Sequence, residues 1–210
     1  MRMKGILAII GMLCLALQAW AQQPDARQIL DRTAGNFEKG GGIKATFTVQ
    51  SQGNTASGTI FLKGDKFVLE TEGVKTWFDG HTQWSYLTSS EEVNVSEPTP
   101  DELQSLNPYA LLYSYRQGYS LKTGNTATGQ KLNAYEVILT STDPKQELQC
   151  IILYVQKNTF RPLRISMAQR GGKDVAVVSV TSYETGQSYP DRFFTFDPKE
   201  YPGAEVIDLR

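Results

Sequence analysis

The side chains that could carry reaction chemistry are few and scattered. The single histidine, His81, sits in Asp79-Gly80-His81, a polar break between two apolar runs. A lone turn histidine is read as a solvated residue, not as a metal ligand or a catalytic base, and no nucleophile–base triad is visible around it. The two cysteines are Cys14 and Cys150. Cys150 stands in Leu148-Gln149-Cys150-Ile151-Ile152-Leu153, a strand-like run that suits a buried, inert thiol. Glu91 and Glu92 are neighbours in a strand-like segment, so their carboxylates should point to opposite faces and cannot converge as an acid and a base. Glu70 and Glu72 do share a face, where two carboxylates most often solvate the strand. The expectation is a protein with no catalytic residues, no cofactor and no metal, hence not an enzyme.

What remains is a question of binding, and of compartment. The first residues carry Arg2 and Lys4, then an apolar run from Gly5 to Leu17, then Ala19-Trp20-Ala21. This is the pattern of a secretory signal, with cleavage expected near Ala21. The run is too short for a spanning helix, which needs about 20 residues. Cys14 lies inside it behind Leu13, where a lipid-attachment site would call for a small residue. Cleavage would leave Cys150 alone, so no intramolecular disulfide could form in a compartment that permits one. Removing Arg2 and Lys4 leaves 19 basic residues against 22 acidic ones, a net charge near −3. That balance excludes a nucleic-acid footprint. No Pro/Ser linker or charge run divides the rest, so residues 1–21 read as signal peptide and 22–210 as one domain.

The elements can be placed by period. Ala26, Ile29, Leu30, Ala34 and Phe37 form one apolar stripe on a helix, which Gly40-Gly41-Gly42 ends. Because a strand and not a helix follows those glycines, they make no phosphate cradle. A second helical zone opens at Thr99-Pro100-Asp101-Glu102, with Thr as N-cap, Pro in the first turn and Glu three residues after the cap. Asn107-Pro108 interrupts it and launches Tyr109-Ala110-Leu111-Leu112-Tyr113-Ser114-Tyr115, apolar on nearly every face. Such a segment must be buried on more than one side, against core or against a ligand.

Strands fill most of what is left. Ile43 to Val49 alternates strictly, and the stretch from Gly58 to Val95 alternates short β-patterned runs with tight turns at Lys63-Gly64-Asp65-Lys66 and Asp79-Gly80-His81. Four more blocks follow: Ala134 to Thr140, Leu148 to Gln156, Pro162 to Ala168 and Val175 to Tyr183. On the order of ten short strands can curl into a barrel or half-barrel of hairpins.

Several of these segments resemble one family. Phe78-Asp79-Gly80-His81-Thr82-Gln83-Trp84-Ser85-Tyr86 followed by Glu91-Glu92-Val93 is similar to the D-G-x-T-x-W-x-Y segment of the periplasmic lipoprotein carrier LolA. Ala45 to Thr48 and Gly58 to Lys63 resemble its first two strands, Asn107 to Leu112 its middle helix, and Phe194 to Pro198 through Val206-Ile207-Asp208 its closing segment. The order is kept over nearly the whole chain after the signal. The resemblance implies a mainly β (α+β) fold: an incomplete antiparallel β-barrel, or half-barrel, with a lid of short α-helices over an apolar cavity. It implies a periplasmic monomer that takes acylated lipoproteins from an inner-membrane ABC transporter and passes them to an outer-membrane acceptor. A binder of another lipid or glycolipid, or an envelope-stress lipoprotein sensor, on the same fold is the alternative.

Alternation and the family pattern together point to acyl-chain residues at Phe47, Phe67, Leu69, Trp84 and Tyr86 in the sheet, and at Leu103, Leu106, Leu111 and Leu112 in the lid. Alternation says which pairs share a face, but not which face turns inward. One departure stands out. Family members place a lid-latching arginine where this chain has Gly64, so Lys63 or Lys66 is left as the stand-in, without the planar fork of arginine.

Overall fold

The structure is a computed structural model that describes residues 23–100, 102–103, 115–172 and 174–210. The expected signal peptide (residues 1–21), Leu106, Leu111 and Leu112 lie outside the described residues. Helix α1 (Ala26–Lys39) starts on a capping box in which Asp25 and Gln28 bond each other's backbone N–H. Its expected stripe of Ala26, Ile29, Leu30, Ala34 and Phe37 is buried, with Thr33 added. Thr33 is tolerated inside because its hydroxyl donates to the Ile29 carbonyl at 2.8 Å.

Twelve strands form one open sheet. The first six are β1 (Gly42–Ser51), β2 (Asn54–Lys63), β3 (Lys66–Thr71), β4 (Val74–Phe78), β5 (Gln83–Leu87) and β6 (Glu92–Ser96). They pair in sequence order, as the hairpin turns require. The chain then crosses to the opposite edge and meanders back through β7 (Tyr119–Gly124), β8 (Ala134–Ser141), β9 (Leu148–Gln156), β10 (Pro162–Gln169) and β11 (Val175–Gln187), which closes on β1. Register shifts in β1 against β11 and in β10 against β9 mark the irregular points at which such a sheet bends. The half-barrel is open, since β7 and the terminal strand remain edges.

Some details depart from the sequence reading. The terminal strand β12 (Glu205–Asp208) pairs parallel to β6, so the sheet is not wholly antiparallel. Strands β7 and β12 and the short helix α2 (Ala127–Lys131) went unread because each is short and weakly patterned. Glu91 is not in a strand: it closes the turn before β6 with φ +56°, and Glu92 begins the strand. No helix among the described residues is long and apolar enough to cross a membrane.

The sheet carries an apolar cluster on each face. One gathers α1 with Ile43, Ile60, Phe67, Phe78, Val137, Ile151, Leu153, Ile165 and Val178. The other lies beneath the C-terminal segment, where Phe194 and Phe196 pack on Val68, Trp77, Val93 and Val95. That segment runs from β11 back to the far edge, with a 3₁₀ turn at Asp191–Phe194 on the way. Lys63 and Lys66 both reach Asp191, at 2.9 and 3.3 Å, and Lys63 also donates to the Tyr189 carbonyl. The two lysines therefore fasten the C-terminal strap.

Candidate functional site

The face covered by α1 is the candidate site, and strand register defines it. Phe47 and Val49 of β1 pair with Val180 and Val178 of β11, while Ile60 of β2 pairs with Leu69 of β3 and Leu62 with Phe67. Directly paired residues project to one side of a sheet, so these side chains build a continuous apolar floor. Phe67 is fully buried, whereas Phe47, Val49, Leu69, Met167 and Val180 are only partly covered. Gly58 makes room for the Phe47 ring, because a Cβ there would stand 2.6 Å from its tip. The connection from β6 to β7 enters and leaves on this face: Leu103 packs against the cluster, and Tyr115 is buried in it.

The entry is held by the expected capping box. The Glu102 carboxylate accepts from the Thr99 N–H and hydroxyl at 2.7 and 2.8 Å, and the Glu102 N–H donates to the Thr99 hydroxyl. The exit is held by Asp31 of α1, whose carboxylate accepts from the Tyr115 hydroxyl and from Arg116 at 3.2 Å. The Tyr115 bond, more than the Arg116 charge, lowers the Asp31 pKa, against a smaller opposing effect of burial. Burial and the Asp31 bond raise that of Tyr115.

The sequence-predicted residues divide between the two faces. Phe47, Phe67, Leu69 and Leu103 come together on the α1 face. Trp84 and Tyr86 do not join them. The pairing Val68–Trp77–Trp84–Val95 and the pairing Tyr86–Val93 put both on the opposite face, under the C-terminal strap. The division is a matter of parity: β5 turns Gln83 and Ser85 toward the α1 face instead. Met167, Val180 and Leu121 also lie against the α1-face cluster and were missed; Met167 and Val180 fall in β10 and β11, whose alternation was there to be used, whereas Leu121 falls in the unread β7.

Polar groups stand at both arms of this face: at one, the Gln146 amide donates to the Tyr119 hydroxyl at 2.6 Å, and at the other Gln83, Ser85 and Thr76 gather. Thr76 and Ser85 hydroxyls lie 3.2 Å apart, and the Gln83 amide N–H donates to Ser85 at 3.3 Å. The candidate reactive groups stay apart. His81 is exposed in its hairpin turn, where the Asp79 carboxylate accepts from the His81 and Thr82 N–H groups. Cys150 pairs with Thr140 and Ala168, and burial pushes its thiol pKa up. Among the described residues, no group of three or more His, Cys, Asp or Glu side chains is placed to hold a metal ion.

Comparison with known proteins gives this architecture a family. None of the curated proteins is a match. Among solved structures, an uncharacterized conserved protein from Thermus thermophilus aligns over 87% of this chain and 98% of its own, with TM-score 0.59 and 17% identity. A DUF1329 family protein from Desulfovibrio piger aligns over 81% and 97%, with TM-score 0.50 and 11% identity. A LolA superfamily protein from Nitrosomonas europaea covers 83% and 99%, with TM-score 0.49 and 13% identity. At these identities the first two speak for the fold alone. The family described as outer membrane lipoprotein carrier protein LolA matches residues 17–201, nearly the whole chain. The chain therefore belongs to the LolA family.

Proposed function

We propose that this protein is a periplasmic carrier that shelters the acyl chains of lipoproteins leaving the inner membrane and delivers them to the outer membrane. The observation that carries the reading is the α1 face, where Phe47, Val49, Leu69, Met167 and Val180 are apolar yet incompletely covered, in a chain of the LolA family. Such a surface answers a definite physical need. Three acyl chains hold on the order of 40 methylenes, and at roughly 0.8 kcal/mol each their exposure to water would cost roughly 30 kcal/mol. A carrier lowers that cost while holding the chains less tightly than the acceptor does.

In this reading residues 1–21 are a cleaved export signal and 22–210 form the working domain, a monomer loaded by an inner-membrane ABC transporter. The acyl chains lie on Phe47, Leu69 and Leu103, with the buried Phe67 supporting them from below. The test is titration with a synthetic triacylated peptide. The wild type should bind, and Leu69→Glu should weaken binding about tenfold or more, because it puts a charge on the apolar floor. Equal affinity in the two proteins, each shown to be folded by its melting curve, would overturn this placement of the chains. Uptake of free phospholipid or glycolipid in preference to the acylated peptide would point to a lipid shuttle on the same fold.

A further inference from the structure

Beside the apolar floor lies a groove of about 630 Å³ that the carrier reading leaves unused. It is lined from both arms of the curled sheet. Gln83, Glu97 and Glu102 come from β5 and the segment after β6, Glu147 from the β8–β9 turn, and Leu209 and Arg210 from the C-terminus. Strands far apart in sheet order meet here, so the groove is the place where the half-barrel's two arms approach.

Two features give it a chemistry. The first is charge: the lining carries three carboxylates, Glu97, Glu102 and Glu147, and one cation, Arg210, whose guanidinium is already bonded to Asp208 at 2.9 and 2.6 Å. Glu102 is engaged by Thr99, and Glu97 lies 3.7 Å from the His81 ring, a neutral partner unless protonated. The second is Gln83, which is 9% exposed and whose Oε1 is buried without a hydrogen-bond partner. Its amide nitrogen donates to Ser85, which turns the bare oxygen away from that bond. A buried acceptor with nothing to accept from is destabilising, and because Gln83 lines the groove, a rotation of its amide would present that oxygen to a donor bound there. The ligand that fits is a donor-rich cation, an alkylammonium or a guanidinium.

We propose, resting on the carrier reading, that this groove takes the lysine or arginine side chain of the cargo's peptide just after its acylated residue. Placement argues for the cargo. Gln83 pairs with Phe78, a member of the apolar cluster, and Glu102 adjoins Leu103, so the acidic groove borders the floor on which the acyl chains lie. A phospholipid ammonium would bring its phosphate among the three carboxylates, with the one nearby guanidinium already engaged. A peptide side chain brings no such anion, and Leu209, 64% exposed, offers apolar surface to its stem.

Triacylated peptides that differ only in the residues after the acylated cysteine, either lysine or glutamine, test this. Their affinities are read at low and high salt for the wild type, for Gln83→Met and for the double variant E97Q/E147Q, whose two sites are exposed and can change without unfolding the protein. The lysine peptide should bind the wild type about fivefold tighter at low salt, in line with partly exposed ion pairs. That preference should shrink with salt and disappear in the double variant. Equal and tight binding of both peptides would overturn the groove's role and leave the carrier standing. An equal, variant-sensitive preference for phosphatidylethanolamine over phosphatidylglycerol would assign the groove to lipid headgroups and overturn the peptide. Failure of every acylated peptide to bind would overturn both proposals.

Discussion

Asp31 shows how one residue ties the connection after β6 to the helix beneath it. Its carboxylate accepts from Tyr115 and Arg116, and the folded state holds its pKa below the ordinary 3.8. A carboxylate with a depressed folded pKa contributes stability that is fully present above the ordinary value and is lost as pH falls through the folded one. Asp31→Asn should therefore lower the melting temperature at neutral pH, with the gap to wild type closing in strongly acidic buffer. Because the side chain is nearly half exposed, the neutral-pH difference should be about 1 kcal/mol or less. A gap that widened toward acid would contradict this assignment. The contact was not legible in the sequence, since Asp31 and Tyr115 are far apart in the chain and no local pattern joins a helix carboxylate to a distant hydroxyl. Gly64 is the converse case. Its φ of +62° in the two-residue turn between β2 and β3 suits glycine and would strain an arginine, so the absence of an arginine there was legible, while the use of Lys63 and Lys66 on Asp191 was not.

At the scale of elements, the two faces of the sheet should separate under mutation. Phe194 is fully buried beneath the strap, where it meets Tyr189 and Phe193 edge to face. Phe194→Ala should cost about 3–5 kcal/mol in chemical denaturation while acyl-peptide affinity in the folded protein stays unchanged. Loss of affinity without loss of stability would mean that the chains lie under the strap. Trp84 and Tyr86 belong to this stability group by the same register. Helix α1, the Thr99 capping box and the hairpins from β2 to β6 were legible because each rests on local signals: a stripe of period 3.6, a cap three residues from its partner, and turn residues between alternating runs. Which face those strands turn inward was not legible. Parity is relative within a strand, and the absolute choice is made by α1 and the C-terminal strap, elements distant in sequence from the strands they cover.

At the scale of the molecule, the open sheet has one face under α1 and the other under the strap, and the proposed function puts acyl binding on the first and packing on the second. The strap face is packed by ring contacts such as Trp77 with Phe196 and Tyr201. The α1 face keeps apolar side chains partly uncovered and borders an acidic groove. A carrier needs this division, because the surface that loads and releases must move at a lower cost than the one that maintains the fold. The most direct test is native mass spectrometry of the protein purified gently from the periplasm of its own host. A lipoprotein carrier should carry adducts that organic extraction and peptide analysis identify as acylated lipoproteins, and Leu69→Glu should lose them. A protein that emerges empty, and that also takes up no lipoprotein from membranes, would contradict it.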